Sequence, residues 1–203
     1  LLLEKGESLP IMEAFYTIQG EGFHKGLASY FIRTGGCDVG CHWCDVKESW
    51  DENSHPIISI EEIVKKSVGL SDFVVVTGGE PLMWNMNPLT KALKKLGKKT
   101  HIETSGAYPL TGIWDWICLS PKKAKLPIED VYNHAHELKI IIYNNHDFKF
   151  AEEQAEKVNK NAILYLQPEW GKREEMMPLM VDFIKKNPKW KISLQTHKYL
   201  NIP

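Results

Sequence analysis

Short apolar or alternating runs recur along the chain, and helical patterns lie between several of them. Runs of this length and composition predict β-strands. They lie at 12–18, 28–34, 73–77, 100–104, 116–120, 138–143, 163–167 and 191–195. The chain is therefore expected to form a sheet whose strands are joined by helices.

Several helical patterns carry their own start signals. Ser59 begins a capping box before an apolar stripe, and Asn87 is predicted to cap a helix that has a proline in its first turn. Further helices are predicted at 148–158 and 172–186. Pro178 is expected to kink or divide the last of these, because proline lacks the N–H that a helix interior needs.

The alternation of strands and helices predicts the fold class. It is typical of βαβ units and a mostly parallel sheet. A closed (β/α)₈ barrel usually takes about 250 residues, whereas this chain has 203 residues and fewer helical patterns than strands. We therefore predict an α/β fold with one domain over residues 1–203. Its architecture is a partial, open TIM-like barrel with a mostly parallel sheet and a reduced number of helices.

Polar and glycine-rich clusters follow several of the predicted strands. They lie at 34–37, 77–81, 103–106, 120–122 and 167–169. Ligands of α/β sheets bind at the carboxyl ends of the strands. The clusters are therefore expected to meet on one rim and to form one shared site.

Composition and charge exclude several classes of protein. Hydrophobic residues make up 43% of the chain and charged residues 25%, which is typical of a globular protein. The net charge of −1 gives no general attraction to nucleic acid or to an anionic membrane. No apolar run approaches the about 20 residues that span a bilayer, and no export signal is recognisable. We expect a cytoplasmic protein that binds neither nucleic acid nor membrane.

Three of the four cysteines lie in one loop with the spacing C-x₃-C-x₂-C, at Cys37, Cys41 and Cys44. Such crowding in a chain without an export signal is typical of metal or cluster binding. Three thiolates can hold a [4Fe–4S] cluster and leave one iron open, whereas most ferredoxin clusters take four cysteines. The alternative is structural zinc completed by His42 or a distant residue, although zinc prefers four ligands in spaced pairs. Cys118 lies in an apolar run and is expected in the core.

Two further features are candidates for ligand binding. Residues 77–81 read Thr-Gly-Gly-Glu-Pro, and adjacent glycines let a ligand approach free backbone N–H and C=O groups. The alternative is a tight turn. Arg33 ends another strand and could bind a carboxylate through two parallel hydrogen bonds, although most arginines are surface residues.

Residues 19–22 could be a simple hairpin turn, and the tail 195–203 a frayed terminus.

The cysteine loop, with an aromatic residue before its last cysteine, and the Gly-Gly-Glu-Pro sequence resemble the two main signatures of the radical SAM superfamily. The resemblance implies a [4Fe–4S] cluster whose open iron binds S-adenosylmethionine. It also implies reductive cleavage of that cofactor to a 5′-deoxyadenosyl radical and the radical SAM form of the partial barrel. The cofactor carries the difficult chemistry, and the protein positions and shields it.

Over nearly its whole length the chain is similar to the 7-carboxy-7-deazaguanine synthase family. The similarity rests on the stretches 15–22, 102–106, 118–122, 137–139 and 195–203. It implies a carbon–nitrogen lyase that converts 6-carboxy-5,6,7,8-tetrahydropterin to 7-carboxy-7-deazaguanine by radical ring contraction with loss of ammonia, on the route to queuosine and related 7-deazapurines. It also implies a homodimer that receives electrons from a donor such as flavodoxin or ferredoxin.

The resemblance assigns roles to individual residues. The cluster ligands are Cys37, Cys41 and Cys44. The residues that border S-adenosylmethionine are Trp43, Asp45, Gly79, Ser120, Pro121, Lys122, Gln167, Pro168, Glu169 and Trp170. The pterin-binding positions are Ile18, Gln19, Gly20, Arg33, Thr77 and the free carboxylate of Pro203. Glu103 and His197 are catalytic candidates beside the substrate, and Glu103 is expected to handle a proton.

One position departs from the family pattern. Many members have threonine directly after Cys-Asp, and its hydroxyl binds a Mg²⁺ that also touches the substrate. Here the position is Val46, which has no side-chain oxygen, and Mg²⁺ needs oxygen ligands. We therefore predict that Mg²⁺ is bound weakly, is bound through waters and backbone, or is not required.

Two other functions fit parts of the sequence. A glycyl-radical activase shares the cysteine loop and the small size, but it acts on a protein and does not need residues 19–21 or Pro203. A non-catalytic iron–sulfur or zinc module would need only the loop.

Overall fold

A computed structural model describes residues 2–203. Within these residues one nine-stranded sheet runs through the molecule. Its strands are β1 (Ser8–Ile18), β2 (Ala28–Thr34), β3 (Ile57–Ser59), β4 (Phe73–Gly78), β5 (Lys99–Thr104), β6 (Trp116–Leu119), β7 (Glu137–Ile142), β8 (Ile163–Pro168) and β9 (Trp190–Ile192). The sheet is the frame on which the site is built.

Helices connect most of the strands. They are α1 (Leu2–Lys5), α2 (Ile60–Ser67), α3 (Asn87–Lys95), α4 (Glu129–His134), α5 (His146–Ala155), α6 (Arg173–Lys186) and α7 (Thr196–Leu200). In residues 2–203 no helix is both long and apolar enough to cross a membrane. The link from β5 to β6 contains no helix, so the barrel has fewer helices than strands.

The strand order is β3-β1-β2-β4-β5-β6-β7-β8-β9. From β2 through β9 neighbouring strands are parallel, while β1 runs antiparallel to both β2 and β3. The two edge strands do not pair, so the barrel stays open. The predicted α/β partial barrel with a mostly parallel sheet is confirmed.

The alternation of side chains along β4 shows how the sheet separates two layers. Val74 and Val76 are fully buried in a cluster with α2 and α3. Val75 points the other way and packs with Phe31 and Phe73 inside the barrel. This period of two places helices outside the sheet and leaves the inner face to form a site.

The sequence predicted every long strand but missed some short elements. Strand β3 and helices α1, α4 and α7 had not been predicted. They are short, and their stability comes from tertiary packing rather than from a periodic pattern. The last strand is Trp190–Ile192, earlier and shorter than the predicted 191–195.

Two predicted helix details need correction. Asn87 is the first residue of α3 rather than its cap; its N–H donates to Asn85 Oδ1 at 3.1 Å. Helix α6 continues through Pro178 without a break, so the alternative that proline divides it is wrong. The Ser59 cap is confirmed, because its Oγ accepts a hydrogen bond from Glu62 N–H at 3.3 Å.

Candidate active site

One cavity of about 410 Å³ opens inside the barrel at the carboxyl ends of the parallel strands. Apart from Pro121, the residues predicted to bind a cofactor or substrate, or to act in catalysis, all line it. They are Ile18, Gln19, Gly20, Arg33, Cys37, Cys41, Trp43, Cys44, Asp45, Thr77, Gly79, Glu103, Ser120, Lys122, Gln167, Pro168, Glu169, Trp170, His197 and Pro203. The five polar strand ends thus meet on one rim. Residues 19–21 reach the cavity from the loop after β1 instead.

The cysteine loop stands over this cavity with three free, half-buried thiols. Its first part is fixed by backbone hydrogen bonds, from Gly36 N–H to Ser49 O at 2.7 Å and from Cys37 N–H to Trp50 O at 3.1 Å. Burial raises the pKa of the Cys37 and Cys41 thiols. Free of iron, these thiols therefore remain protonated at neutral pH.

The spread of the three sulfurs bears on which metal they can hold. Within residues 2–203, the ligand atoms of Cys37, Cys41 and Cys44 do not form a group lying within 4.8 Å of one another. A single zinc ion would bring its sulfur ligands much closer, because Zn–S bonds are about 2.3 Å long. The arrangement therefore fits a multi-iron cluster better than one zinc ion.

The Gly-Gly-Glu-Pro turn is joined to the cysteine loop by its backbone. Gly79 N–H donates to Thr34 O at 2.9 Å and Glu80 N–H donates to Gly36 O at 2.8 Å. A Cβ at position 79 would lie 2.1 Å from Gly36 O, so only glycine allows this approach. The expectation of free N–H groups here is wrong. An ammonium group at this turn would have to be met by carbonyl oxygens.

Glu80, the acid of that turn, is buried and serves the protein itself. Its carboxylate accepts hydrogen bonds from Leu82 N–H at 3.0 Å, Thr104 Oγ1 at 2.5 Å, and Ser105 N–H and Oγ at 2.7 and 2.5 Å. It therefore ties the end of β4 to the end of β5. The sequence analysis had given it no role.

The floor of the cavity is a charged network centred on Lys139. Its ammonium group is paired with Glu21 and lies 3.4 Å from Glu103 Oε2. Gln19 Nε2 donates to Glu103 Oε1 at 2.9 Å, and Gln195 Nε2 donates to Glu21 Oε1 at 3.0 Å. The network fixes the position of Glu103 beneath the site.

The pKa shifts in this network follow from burial and pairing. Burial raises the pKa of Glu21 and Glu103, but the charge of Lys139 and the hydrogen bonds from Lys139 and a neighbouring glutamine together outweigh it, so the net pKa of each carboxyl is lowered. Burial opposes the charge of Lys139 as well, yet the two carboxylates hold its pKa well above the usual value. At neutral pH all three groups are charged, and Glu103 is a proton acceptor.

One wall of the cavity holds Arg33, which is paired with one acidic side chain through its Nε alone. Arg33 Nε lies 2.8 Å from Glu13 Oε1, and the guanidinium stands over the Phe15 ring at 5.8 Å. The two terminal nitrogens keep their donors for a ligand. Thr77 pairs with Arg33 in the parallel register of β2 and β4.

The chain's last residues close the opposite side. Thr196 N–H donates to Gly20 O at 2.9 Å, which brings His197 into the cavity, and Thr17 Oγ1 donates to Pro203 O at 3.3 Å. Burial lowers the pKa of His197, so its imidazole is neutral at pH 7. The alternative of a frayed tail is wrong.

The outer part of the cavity brings the cysteine loop close to β6 and α7. Lys122 Nζ donates to Ser120 Oγ at 2.6 Å and lies over the Trp43 ring at 5.4 Å. Lys198 Nζ bonds Asp45 Oδ2 at 2.8 Å. These contacts link the loop that carries the cysteines to the tail that carries His197.

The side chains of two residues at the end of β8 already accept hydrogen bonds from the protein. Gln167 Oε1 accepts from Ser193 Oγ at 2.7 Å. The Glu169 carboxylate accepts from Gly171 N–H at 3.0 Å and Lys172 N–H at 3.1 Å, and so caps the turn that follows. Both residues line the cavity, but their side chains also hold its wall.

Sequence reasoning missed Glu21 and Lys139 as residues of the site. Glu21 lies in the stretch 19–22, for which a simple hairpin turn was one alternative, and it was not assigned a role. Lys139 lies within the strand Glu137–Ile142, whose other residues are mostly apolar. A lysine in a strand expected to be buried was a usable signal, because lysine is almost never fully buried unless it is paired.

The chain is similar in sequence to known proteins. The model of the radical SAM superfamily matches residues 31–163. A 7-carboxy-7-deazaguanine synthase from Flavobacterium psychrophilum is 66% identical, with 100% of this chain and 97% of the relative aligned. One from a Synechocystis strain is 50% identical, with 96% and 94% aligned.

The tertiary structure agrees with the sequence matches. The crystal structure of QueE from Escherichia coli matches with a TM-score of 0.85 at 28% identity, covering 96% of this chain and 97% of the other. Fold, cavity and sequence relatives point to one conclusion. The chain belongs to the 7-carboxy-7-deazaguanine synthase family of the radical SAM superfamily.

Proposed function

We propose that this chain converts 6-carboxy-5,6,7,8-tetrahydropterin to 7-carboxy-7-deazaguanine with loss of ammonia, in 7-deazapurine and queuosine biosynthesis. The observation that carries the proposal is the convergence of three free cysteines, Arg33 and Glu103 on one cavity of about 410 Å³. That volume lies within the about 300–1,000 Å³ usual for small-molecule sites. The family assignment favours this enzyme over a glycyl-radical activase or a non-catalytic module.

Cys37, Cys41 and Cys44 would hold the [4Fe–4S] cluster. When bound, the cluster and S-adenosylmethionine would supply the radical chemistry by which hydrogen is taken from the pterin. The carbonyls of the Gly78–Gly79 turn would accept the cofactor's ammonium group. Trp43, Asp45, Ser120, Lys122 and residues 167–170 would enclose the rest of that cofactor.

We do not propose a direct contact between Pro121 and S-adenosylmethionine. It lies between Ser120 and Lys122 but does not line the cavity. Its contribution would be to set the direction of the backbone, since proline fixes φ near −65°. The neighbouring Ser120 and Lys122 then keep their mutual hydrogen bond of 2.6 Å.

Arg33 would bind the carboxylate of the pterin. Its terminal nitrogens can form two parallel hydrogen bonds to a carboxylate, while Glu13 holds Nε. Ile18, Gln19, Gly20, Thr77 and Pro203 would surround the rings of the substrate. Because Gln19 also holds Glu103 at 2.9 Å, it would position the acid as well as border the substrate.

Glu103 and His197 would move protons during the elimination of ammonia. Burial raises the pKa of Glu103, but the Lys139 charge and the hydrogen bonds from Gln19 and Lys139 together lower it below its usual value, so Glu103 is ionised and can accept a proton. His197 is neutral because burial lowers its pKa, and a neutral imidazole has one donor and one acceptor nitrogen.

The residues at the usual Mg²⁺ position do not fit a tightly held ion. Val46 lines the cavity without offering an oxygen, and its backbone carbonyl already accepts from Ser49 Oγ at 2.7 Å. Mg²⁺ requires a nearly ideal octahedron of oxygens. We therefore assign no step of this reaction to Mg²⁺ bound through this side chain.

The remaining parts of the proposal concern the whole protein. The chain would fold and act as a single domain, form a homodimer, work in the cytoplasm, and receive its electron from a donor such as flavodoxin or ferredoxin. Light scattering after gel filtration tests the dimer, and reduction of the cluster by each purified donor tests the electron source.

The test of the function is an anaerobic assay of the reconstituted, reduced protein with carboxytetrahydropterin. Formation of carboxydeazaguanine is the expected result. Arg33→Met should raise KM by about 10–100-fold through loss of a bidentate pair, whereas Glu13→Gln, which removes only the negative charge beside Nε, should have a much smaller effect. Deleting residues 201–203 should abolish turnover.

Two results would contradict the proposal. One is cleavage of S-adenosylmethionine without any carboxydeazaguanine from the intact protein. The other is full formation of carboxydeazaguanine after deletion of residues 201–203, which would remove Pro203 from the substrate-binding residues while leaving the enzyme assignment in place.

A further inference from the structure

A second group of metal-binding side chains lies deeper in the barrel, outside the cysteine loop. His101 is on β5, Cys118 on β6 and Glu137 on β7. Cys118 pairs with Glu137 across the parallel ladder, and it also pairs with Glu103, two residues after His101 on the same face. One nitrogen, one sulfur and one oxygen from the three side chains all lie within 4.8 Å of one another.

All three side chains are removed from solvent. The exposed fraction is 1% for His101, 0% for Cys118 and 1% for Glu137. Neither ring nitrogen of His101 has a hydrogen-bond partner among residues 2–203. Buried polar atoms are nearly always paired, and a buried orphan calls for an ordered water or an ion. His101 is therefore the observation that points to a missing ligand.

The side chains next to His101 do not supply a hydrogen-bond partner for its ring nitrogens. Its ring is surrounded by Phe73, with ring centres 5.7 Å apart, and by His24, at 5.5 Å. Glu137 Oε2 accepts from Phe23 N–H at 3.0 Å, which fixes the carboxylate while leaving lone pairs for a metal. Lys139, the nearby cation, is already paired with Glu21 and Glu103.

The chemistry of the three ligands favours zinc. Imidazole nitrogen, thiolate sulfur and carboxylate oxygen are the donors that Zn²⁺ takes in proteins. A thiolate and a carboxylate together would also neutralise the two positive charges of the ion, which a buried site needs. The fourth position is open to a water or to His24, whose Nδ1 is buried and likewise without a partner in residues 2–203.

We propose that His101, Cys118 and Glu137 bind one zinc ion that cross-links β5, β6 and β7 below the charged floor of the cavity. The ion is structural and separate from the iron–sulfur cluster. It satisfies His101 and joins three neighbouring strands at the part of the barrel that carries Glu103 and Lys139.

The experiment uses the full chain in two forms, the anaerobic holoenzyme and a variant with Cys37, Cys41 and Cys44 all changed to Ala. Each is incubated with zinc sulfate, dialysed against metal-free buffer and analysed by mass spectrometry for zinc. Both should retain about one zinc per chain. Cys118→Ala and His101→Asn, made in each form, should lower retention by at least about tenfold.

His136→Gln is the matched control, because His136 is a half-buried neighbour whose Nδ1 already accepts from Ile117 N–H at 3.1 Å. It should retain zinc like the parent. Zinc absent from both parent forms would overturn the proposal. Zinc retention in Cys118→Ala and His101→Asn equal to that of the parent would do the same.

A spectroscopic measurement keeps the proposal testable if these core variants do not fold. The form without loop cysteines is loaded with Co²⁺ in place of zinc. A thiolate-to-cobalt charge-transfer band should appear, because Cys118 is then the one cysteine left in the sequence. Absence of that band from the folded, cobalt-treated protein would overturn the site.

Discussion

Lys139 is the residue on which the charge balance of the cavity floor depends. Only 4% of its side chain is exposed, and both of its partners, Glu21 and Glu103, line the cavity. A buried ion pair has a desolvation cost, and breaking it leaves the other charge uncompensated. This cost makes Lys139 a sensitive position for both stability and the state of Glu103.

Replacing Lys139 with Met should lower the free energy of unfolding by about 3–5 kcal/mol, measured by urea denaturation. Lys149→Met is the control, because Lys149 forms an exposed pair with Glu153 at 3.8 Å and should change stability by less than about 0.5 kcal/mol. Equal losses of unfolding free energy from the two substitutions would show that the buried network stabilises the fold no more than an exposed ion pair does.

Val46 is the residue that we expect to determine whether the reaction rate depends on Mg²⁺. The wild-type rate should not change when Mg²⁺ is added or removed with chelator, because the side chain carries no oxygen. Val46→Thr places a hydroxyl at this position of the cavity wall and should introduce a response to Mg²⁺. A strict Mg²⁺ requirement in the wild-type enzyme, with the ion bound beside Val46, would refute the prediction.

At the scale of elements, the site depends on how the ends of neighbouring strands are joined. Gly78, with φ of +122°, ends β4 in a conformation that side chains rarely adopt, and Gly79 packs against the cysteine loop. Glu80 then accepts one hydrogen bond from Leu82 in its own turn and three from Thr104 and Ser105, at the end of β5 and the start of the β5–β6 connection. The cluster loop, β4 and β5 therefore form one unit.

Glu80→Ala should separate that unit. It leaves buried donors on Leu82 and Ser105 without partners, and each unsatisfied group costs about 1–3 kcal/mol. A loss of at least about 2 kcal/mol in unfolding free energy is expected, together with less iron per chain after reconstitution.

Glu62→Ala is the comparison for this substitution. Glu62 pairs with Lys66 on the surface of α2 at 3.0 Å, and its loss should cost less than about 0.5 kcal/mol. Normal iron content and stability in Glu80→Ala would mean that the strand ends are held by other contacts.

At the scale of the whole molecule, the open barrel is completed by irregular chain. Gly22 N–H donates to Ser193 Oγ at 3.0 Å, and Thr196 N–H donates to Gly20 O at 2.9 Å. The loop after β1 thus meets the segment after β9. The charged floor lies where these segments and the strands meet, so its titration is linked to global folding.

The pH dependence follows from this linkage. Glu21 and Glu103 have pKa values below the usual 4.5, so their stabilisation is present above that pH and is lost as the pH falls through the lowered values. Lys139 has a pKa above the usual 10.5, so its stabilisation is present below that pH. In Lys139→Met burial raises the pKa of both carboxyls, so the stability difference from wild type should grow as the pH rises above about 4 and level off once these carboxyls are ionised in the variant as well.

Below about pH 4 the same difference should shrink as the two carboxylates are protonated. Denaturation curves of both proteins in a series of buffers measure it. Lys149→Met should show no such change, because its pair is exposed. A difference that stays constant into strong acid would contradict the role of the buried charges.

The strand pattern, the alternation of strands and helices that makes the sheet mostly parallel, and the motifs at strand ends were all predictable from the sequence. Local periodicity and the covalent spacing of cysteines and glycines contain that information. It also located most of the cavity lining, because carboxyl ends of parallel strands meet on one rim.

Which polar side chains face each other depends on the folded arrangement and was not predictable from the sequence. Glu21 and Lys139 lie far apart in sequence, and their pairing depends on the fold of the loop after β1 against β7. The same holds for the group of His101, Cys118 and Glu137, which three adjacent strands bring together. The number of residues between two side chains does not predict such contacts. The register of neighbouring strands determines which side chains lie next to each other.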